Sequence, residues 1–266
     1  MEWSGRPWPS TEEELLRAQQ ALARDAASVL ASAPWRLPPD PLVCGCFDAF
    51  APGVPGPGQA GDSAWAAAVA WRASSLRAAG DRQPVRRSDQ TLRGRRAQDG
   101  PRRASDVADQ IVVADRAPAP YRAGLLALRE GPILERAVTG LKRPPDVLLI
   151  DATGLDHPRG AGLAVHLGAV TGVPSVGVTH RPLVAVGTLP ATWRGATSPA
   201  ELHGRTVGRW TCTKPGARPV LAHAGWRTDA DTAAALVIAV STPAARTPVP
   251  LQEARRVARE ARSLGR

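Results

Sequence analysis

Two acidic residues stand where a carboxylate can do more than face water. Asp151 closes the apolar run Pro145–Asp151 (PDVLLID), and Glu130 precedes Gly131-Pro132 in a stretch that is otherwise largely apolar. Carboxylate oxygens are the ligands that hard divalent cations take, and such cations are what phosphodiester hydrolysis uses. The plain alternative for each residue is a solvated surface acid. Charge points toward a polyanionic partner: 34 Lys+Arg stand against 24 Asp+Glu, a formal net charge of +10. Ten arginines and three aspartates fall between Arg72 and Arg103, so that segment alone holds +7 of it. Lys142 and Lys214 are the only lysines and asparagine is absent. A GC-rich coding bias therefore offers a second origin for some of the arginine.

The elements that must position these residues are readable from patterning. Ser10-Thr11-Glu12-Glu13 has the form of a capping box, with Ser10 as N-cap, opening a helix over about 11–32. Leu42–Phe50 and Ala64–Trp71 read as strands, joined by a Pro/Gly-rich turn. Gln110–Ala114 and Ser175–Thr179 read as shorter strands, and Val207–Thr213 with Pro219–His223 as a late pair. Pro145–Asp151 is a continuous apolar run, the pattern of a strand buried on both faces. Helices are expected over Gly124–Leu141, interrupted at Gly131-Pro132, and over Ala161–Thr171, Thr228–Val240 and Gln252–Ser263. Residues at about 78–106 lack the apolar content to fold and read as a disordered basic insertion. The order implies one α/β domain over 1–266, a mixed central sheet with flanking helices.

Composition also excludes classes. The longest apolar runs are eight residues, where a membrane-spanning helix needs about 20. The opening MEWSGRPWPSTEEE lacks the basic start and apolar stretch of a signal peptide. Cys44, Cys46 and Cys212 are too few for a disulfide scaffold and read as small buried hydrophobes. The expectation is a cytoplasmic, monomeric chain.

Two motifs carry more specific information. One is Pro120-Tyr121-Arg122-Ala123-Gly124-Leu125-Leu126-Ala127-Leu128-Arg129-Glu130-Gly131-Pro132. The other runs Asp151-Ala152-Thr153-Gly154-Leu155-Asp156-His157-Pro158-Arg159-Gly160 and continues through Gly162–Gly168. With Gly177–Arg181, Gly225-Trp226-Arg227 and Arg246–Pro250, they make the chain resemble the endonuclease V family, which acts on deoxyinosine in nucleic acid. The resemblance implies a ribonuclease H-like fold and metal-dependent cleavage, with Mg2+ or Mn2+, at the second phosphodiester 3′ to the lesion, in DNA repair. It implies DNA as the main partner, with RNA as the other candidate. It assigns Asp151, Glu130 and Asp48 to the metal and Asp151, Glu130 and His180 to catalysis. It places Pro120, Tyr121, Arg122, His157, Arg181 and Arg227 against nucleic acid, with Tyr121 in the loop that wedges into the duplex. His166 is expected to satisfy a helix.

The chain departs from the family pattern at three places. The family's first strand carries Gly-x-Asp; here Gly45-Cys46 is followed by Phe47, and Asp48 comes one residue later. Side chains alternate faces along a strand, so Asp48 points away from the ligand slot unless a bulge intervenes. The family's phosphate-steadying lysine is His180 here, cationic only when protonated. The late Gly-His-Arg reads Gly225-Trp226-Arg227, and Trp accepts no proton and binds no metal. Two function classes follow: an active nuclease, or a nucleic-acid-binding homologue with weakened catalysis. A carboxylate from Leu42–Phe50 reaching Asp151 favours the first, and Phe47 facing Asp151 favours the second.

Overall fold

The computed structural model describes residues 3–51, 58–74 and 107–265; the expected basic insertion at about 78–106 lies outside them. Eight strands form one sheet in the order β3-β2-β1-β4-β5-β8-β7-β6. They are β1 (Leu42–Phe50), β2 (Ser63–Arg72), β3 (Val107–Arg116), β4 (Val147–Ile150), β5 (Ser175–Thr179), β6 (Thr197–Leu202), β7 (Arg205–Thr211) and β8 (Val220–Ala224). The three consecutive strands β1, β2 and β3 pair antiparallel. Strands β1, β4 and β5 run parallel, which makes β4 the central strand and explains why all four of its residues are buried.

Five helices cover the sheet among the described residues: α1 (Glu12–Ser32), α2 (Leu126–Thr139), α3 (Leu163–Thr171), α4 (Ala230–Ala239) and α5 (Val249–Ser263). Alternation along β1 and β4 sorts the core into two layers. Val43, Ala49, Val147 and Leu149 meet α4 and α5 through Leu236, Val237, Leu251 and Ala254. Cys44, Cys46, Leu148 and Ile150 meet α2 and α3 through Ile133, Leu134, Leu163 and Leu167. All three cysteines are free and buried, as expected of small apolar residues. His166 is buried too, its ring stacked 4.3 Å from that of Trp8.

Two expectations need correction, and one strand went unread. The N-cap of α1 is Thr11, not Ser10: Thr11 Oγ1 accepts from the Glu14 N–H at 3.2 Å, and Glu14 reaches back to the Thr11 N–H. Ser10 donates to the same Glu14 carboxylate through its N–H and hydroxyl, so two candidate caps share one partner. Helix α2 passes through Gly131-Pro132 unbroken. An added Cβ on Gly131 would lie 2.2 Å from the Trp8 ring, so this glycine is a packing contact and not a stop. Buried Ile133 and Leu134 hold the next turn in place against the cost of Pro132. Strand β6 had no signal, because Thr-Ser-Pro-Ala-Glu-Leu lacks alternation; it is the sheet edge, where Pro199 costs no ladder bond. No helix among the described residues is long and apolar enough to cross a membrane.

Candidate active site

Parallel pairing places Cys46 opposite Ile150, so Asp48 and Asp151 leave the sheet at the same end. The β1–β2 register runs without a break from Leu42–Arg72 to Phe50–Ala64. No bulge resets the alternation. Asp48 therefore shares the α2 face with Cys44 and Cys46, while Phe47 packs on the α4/α5 face. On the α2 face, burial and then the charges of Asp48 and Asp151 push the Glu130 carboxyl well above the usual range. Burial, aided by Asp151, pushes Asp48 up to about 7. Asp48 is partly exposed as a residue, but its Oδ2 is shut off from solvent and has no hydrogen-bond partner.

Asp151 follows the last residue of β4; it lines a cleft with Leu126 and Ala127 of α2, and on its other side it meets α5. Its Oδ2 accepts from Arg255 Nη2 at 2.7 Å and from Nε at 3.2 Å. The same guanidinium lies 5.5 Å from the centre of the Phe47 ring. The three carboxylates thus gather at the ends of β1 and β4, with Asp151 also tethered to α5. A buried pair of carboxyls pushed upward beside a third, with one oxygen orphaned, is the set that a hard divalent cation would satisfy. Among the described residues, however, no three His, Cys, Asp or Glu side chains converge closely enough to hold one. The donors fit a cation in chemistry, and the Arg255 tether stands against their convergence.

A cleft of about 210 Å³ opens beside Asp151, lined among others by Tyr121, Arg122, Thr153, His157 and Leu183. Tyr121 stands 44% exposed at its mouth, with Pro120 and Arg122 exposed beside it. Arg122 pairs with Glu12 of α1. The loop carrying Tyr121 is held from below by Arg129, whose side chain is 3% exposed. Arg129 Nη1 donates to the carbonyls of Ala119 (2.9 Å) and Gln59 (2.7 Å), and Nη2 donates to Asp62 Oδ2 (2.7 Å). Its guanidinium lies 4.0 Å over the Phe50 ring, and its charge also opposes the upward shifts of Asp48 and Glu130. The far end of the loop is fixed at Gly124, whose φ of +77° favours glycine. The Gly124 carbonyl accepts from Arg159 Nη2 at 2.7 Å and from His157 Nε2 at 3.1 Å.

His157 is therefore a loop anchor. Its Nδ1 accepts from the Arg159 N–H at 3.2 Å, which leaves Nε2 as the protonated nitrogen. Burial, with Arg159 nearby, lowers its pKa to about 4, so it is neutral at pH 7. The opposite wall of the cleft hangs on Asp156, which is fully buried and accepts backbone N–H bonds from Leu183, Val184 and Ala185 at 2.7–2.9 Å. His180 is half-buried near Asp151. Burial and the charges of Arg246, Arg255 and Arg218 lower its pKa, so it is not a resident cation. Arg181 beside it is exposed.

Two residues are not brought to the carboxylates. Strand β8 runs antiparallel to β5, so Trp226 follows its end beside Ser175, at the start of β5. That is about three residues, roughly 10 Å, along the strand from the level of Asp151. Trp226 packs there with Trp3, Leu22 and Ala26. Arg227 donates to the Ala33 carbonyl beyond the end of α1. Its expected contact with nucleic acid at the carboxylates has no support in this placement. His223, three residues before Trp226, instead reaches the cleft wall through Thr179 Oγ1 at 2.8 Å. Arg129, Asp156 and Arg255 had no role in the sequence reading. Arg129 and Asp156 had a usable signal, their positions inside the two motifs; Arg255 had none.

Comparison with known proteins places the chain among relatives. Residues 102–256 match the family model described as endonuclease V. An endonuclease V from Streptomyces coelicolor is 40% identical over 142 residues, covering 53% of this chain and 60% of that protein. The chain thus spans less than two thirds of that relative's length. The crystal structure of endonuclease V from Streptomyces avermitilis superposes with a TM-score of 0.72 at 28% identity, covering 100% of this chain and 99% of that one. A Ciona intestinalis endonuclease V, solved with a 24mer DNA containing an inosine followed by a ribo-adenosine, shares the fold. Its TM-score is 0.68 at 15% identity, covering 96% of this chain and 100% of that one.

Proposed function

Because this chain belongs to the endonuclease V family, we propose that it is a nuclease. It would engage inosine-containing nucleic acid, DNA foremost and RNA as the other candidate, and hydrolyse the second phosphodiester 3′ to the lesion in DNA repair. The observation that carries this reading is the placement of Asp48, Glu130 and Asp151 at one end of the sheet, with the cleft under Tyr121 opening onto Asp151. Tyr121 is the exposed aromatic that base extrusion needs, and the cleft is the room a displaced base would enter. Arg122, paired with Glu12, and Arg181 are exposed cations that would meet phosphates.

Asp48, Glu130 and Asp151 would hold Mg2+ or Mn2+. When bound, such an ion supplies positive charge to the scissile phosphate. The chain's own groups supply the rest. Asp48, near neutrality while no cation is bound, would give up its proton to take one. His180, neutral beside Asp151, offers a hydrogen bond in place of a fixed charge. Arg129 and His157 keep the Tyr121 loop from collapsing into the cleft.

A second reading has its own observation. Phe47 occupies the strand position on the face of Asp151, and Arg255 holds that carboxylate. This arrangement favours a homologue that binds inosine-containing nucleic acid and cuts it weakly. One experiment separates the two: incubation of the protein with inosine-containing duplexes and single strands, with Mg2+, with Mn2+ and with EDTA. Cleavage at a defined 3′ position that disappears in EDTA and in D151A supports the nuclease. Binding that discriminates inosine, with cleavage no faster than in D151A, supports the second reading.

A further inference from the structure

The approach of α5 to the sheet is unusually close, and glycine permits it. An added Cβ on Gly45 would fall 2.1 Å from the Pro250 carbonyl oxygen, so the start of α5 lies directly on β1. The helix then follows the strand in the same direction, and near the far end of both Arg262 Nη1 donates to the Phe50 carbonyl at 3.1 Å. Five residues of helix advance about 7.5 Å, while the step from Gly45 to Phe47 covers about 6.7 Å of strand. Arg255 therefore arrives over Phe47 by construction. From there its guanidinium places two donors on Asp151 Oδ2. Arg259, one turn on, lies 5.7 Å from the same ring and flanks the contact.

The pair is built on three sides. The Phe47 face supports the guanidinium, the helix backbone fixes its reach, and both side chains are three-quarters covered, at 22% and 24% exposure. A carboxylate oxygen already accepting two bonds from a guanidinium has lost most of what a cation would seek there.

We propose that Arg255 is the resident counter-cation of Asp151, and that a divalent cation engages Asp151 Oδ2 only by displacing its guanidinium. The proposal rests on the reading of Asp151 as a cation ligand given above. It makes the Arg255–Asp151 pair a gate on the carboxylate site. Arg255, once displaced, becomes a free guanidinium beside Asp151, placed to take a phosphate.

Titration with Mn2+ alone, followed by the electron paramagnetic resonance signal of the free ion, tests it without reference to activity. R255Q should bind Mn2+ roughly ten- to hundredfold more tightly than the wild type, the range expected from losing a charge-assisted bond. R255Q/D151N should lose that gain. F47L, which keeps the ion pair but removes its support, should show a smaller gain and serves if R255Q does not fold. Equal affinity in wild type and in whichever of R255Q and F47L folds, or a gain that survives D151N, overturns the gate. Cleavage measured on the same proteins keeps the two readings apart. Tighter Mn2+ binding in R255Q without cleavage supports the gate while defeating the nuclease; unchanged Mn2+ affinity with metal-dependent cleavage does the reverse.

Discussion

Replacing Arg129 with Met tests whether the loop that carries Tyr121 is held from within the core. Methionine keeps most of the buried stem, so the change removes the guanidinium with little loss of volume. Three bonds go with it, to the Gln59 and Ala119 carbonyls and to Asp62. A bond from a charged donor is worth about 1.5–3 kcal/mol. Gln59 is exposed and its carbonyl regains water, whereas Ala119 is half-buried and regains less. A net loss of about 3 kcal/mol follows. For a chain of this size that lowers Tm by roughly 6–12 °C. Thermal melting by circular dichroism reads the loss. Hydrogen exchange locates it, with faster exchange expected over residues 58–62 and 117–121 and little change in β4. A Tm within about 2 °C of wild type, or loosening spread evenly over the sheet, would refute the clamp.

Other consequences are equally open to measurement. The folded-state pKa of Asp48, about 7, lies above the ordinary value of 3.8, so between those values the native state binds more protons than the unfolded chain. Metal-free stability therefore falls as pH rises from about 4 to about 7. D48N should remove that slope, melting level with wild type near pH 4 and above it at pH 8, by at most about 4 kcal/mol; a gap that stays constant across this range contradicts the assignment. Y121A should weaken binding to inosine-containing strands by about 1–3 kcal/mol if its ring stacks on a base, and equal losses on plain and inosine-containing DNA would remove its selective role. D156N replaces one acceptor oxygen with a donor against three backbone N–H groups. It should cost about 2 kcal/mol and loosen residues 183–185 first, as read by hydrogen exchange.

How much of this was legible in the sequence depends on whether the determinant is local. The bounds of β1 follow from an apolar run between prolines and a turn, and they match the structure residue for residue. The burial of β4 follows from its unbroken apolar stretch. The face of Asp48 was also readable, because alternation along a strand is local and no bulge intervenes. Trp226 was not, because its distance from Asp151 is set by the antiparallel sense of β8, which no local pattern carries. Arg129 and Arg255 were hidden differently. In a chain with arginines throughout, residue type alone does not mark these two. Only tertiary packing, over Phe50 in one case and over Phe47 in the other, singles them out.

Those two arginines also account for how three acids coexist at one sheet end. Carboxylates forced together must gain protons, gain a cation or move apart. This chain uses the first two responses. Asp48 and Glu130, on the α2 face, are pushed toward their protonated forms. Asp151, at the strand end, receives the Arg255 guanidinium. The charge presented to an approaching phosphodiester is thereby reduced before any metal arrives, since two of the acids lean neutral and the third is paired. A polyanion is repelled less by such a site than by three bare carboxylates. The same neutralisation leaves fewer free oxygens to collect a divalent ion. On the proposed reading, affinity for nucleic acid and capacity for hydrolysis would be set against each other by the same side chains, and Arg255 is the residue at which that balance would shift.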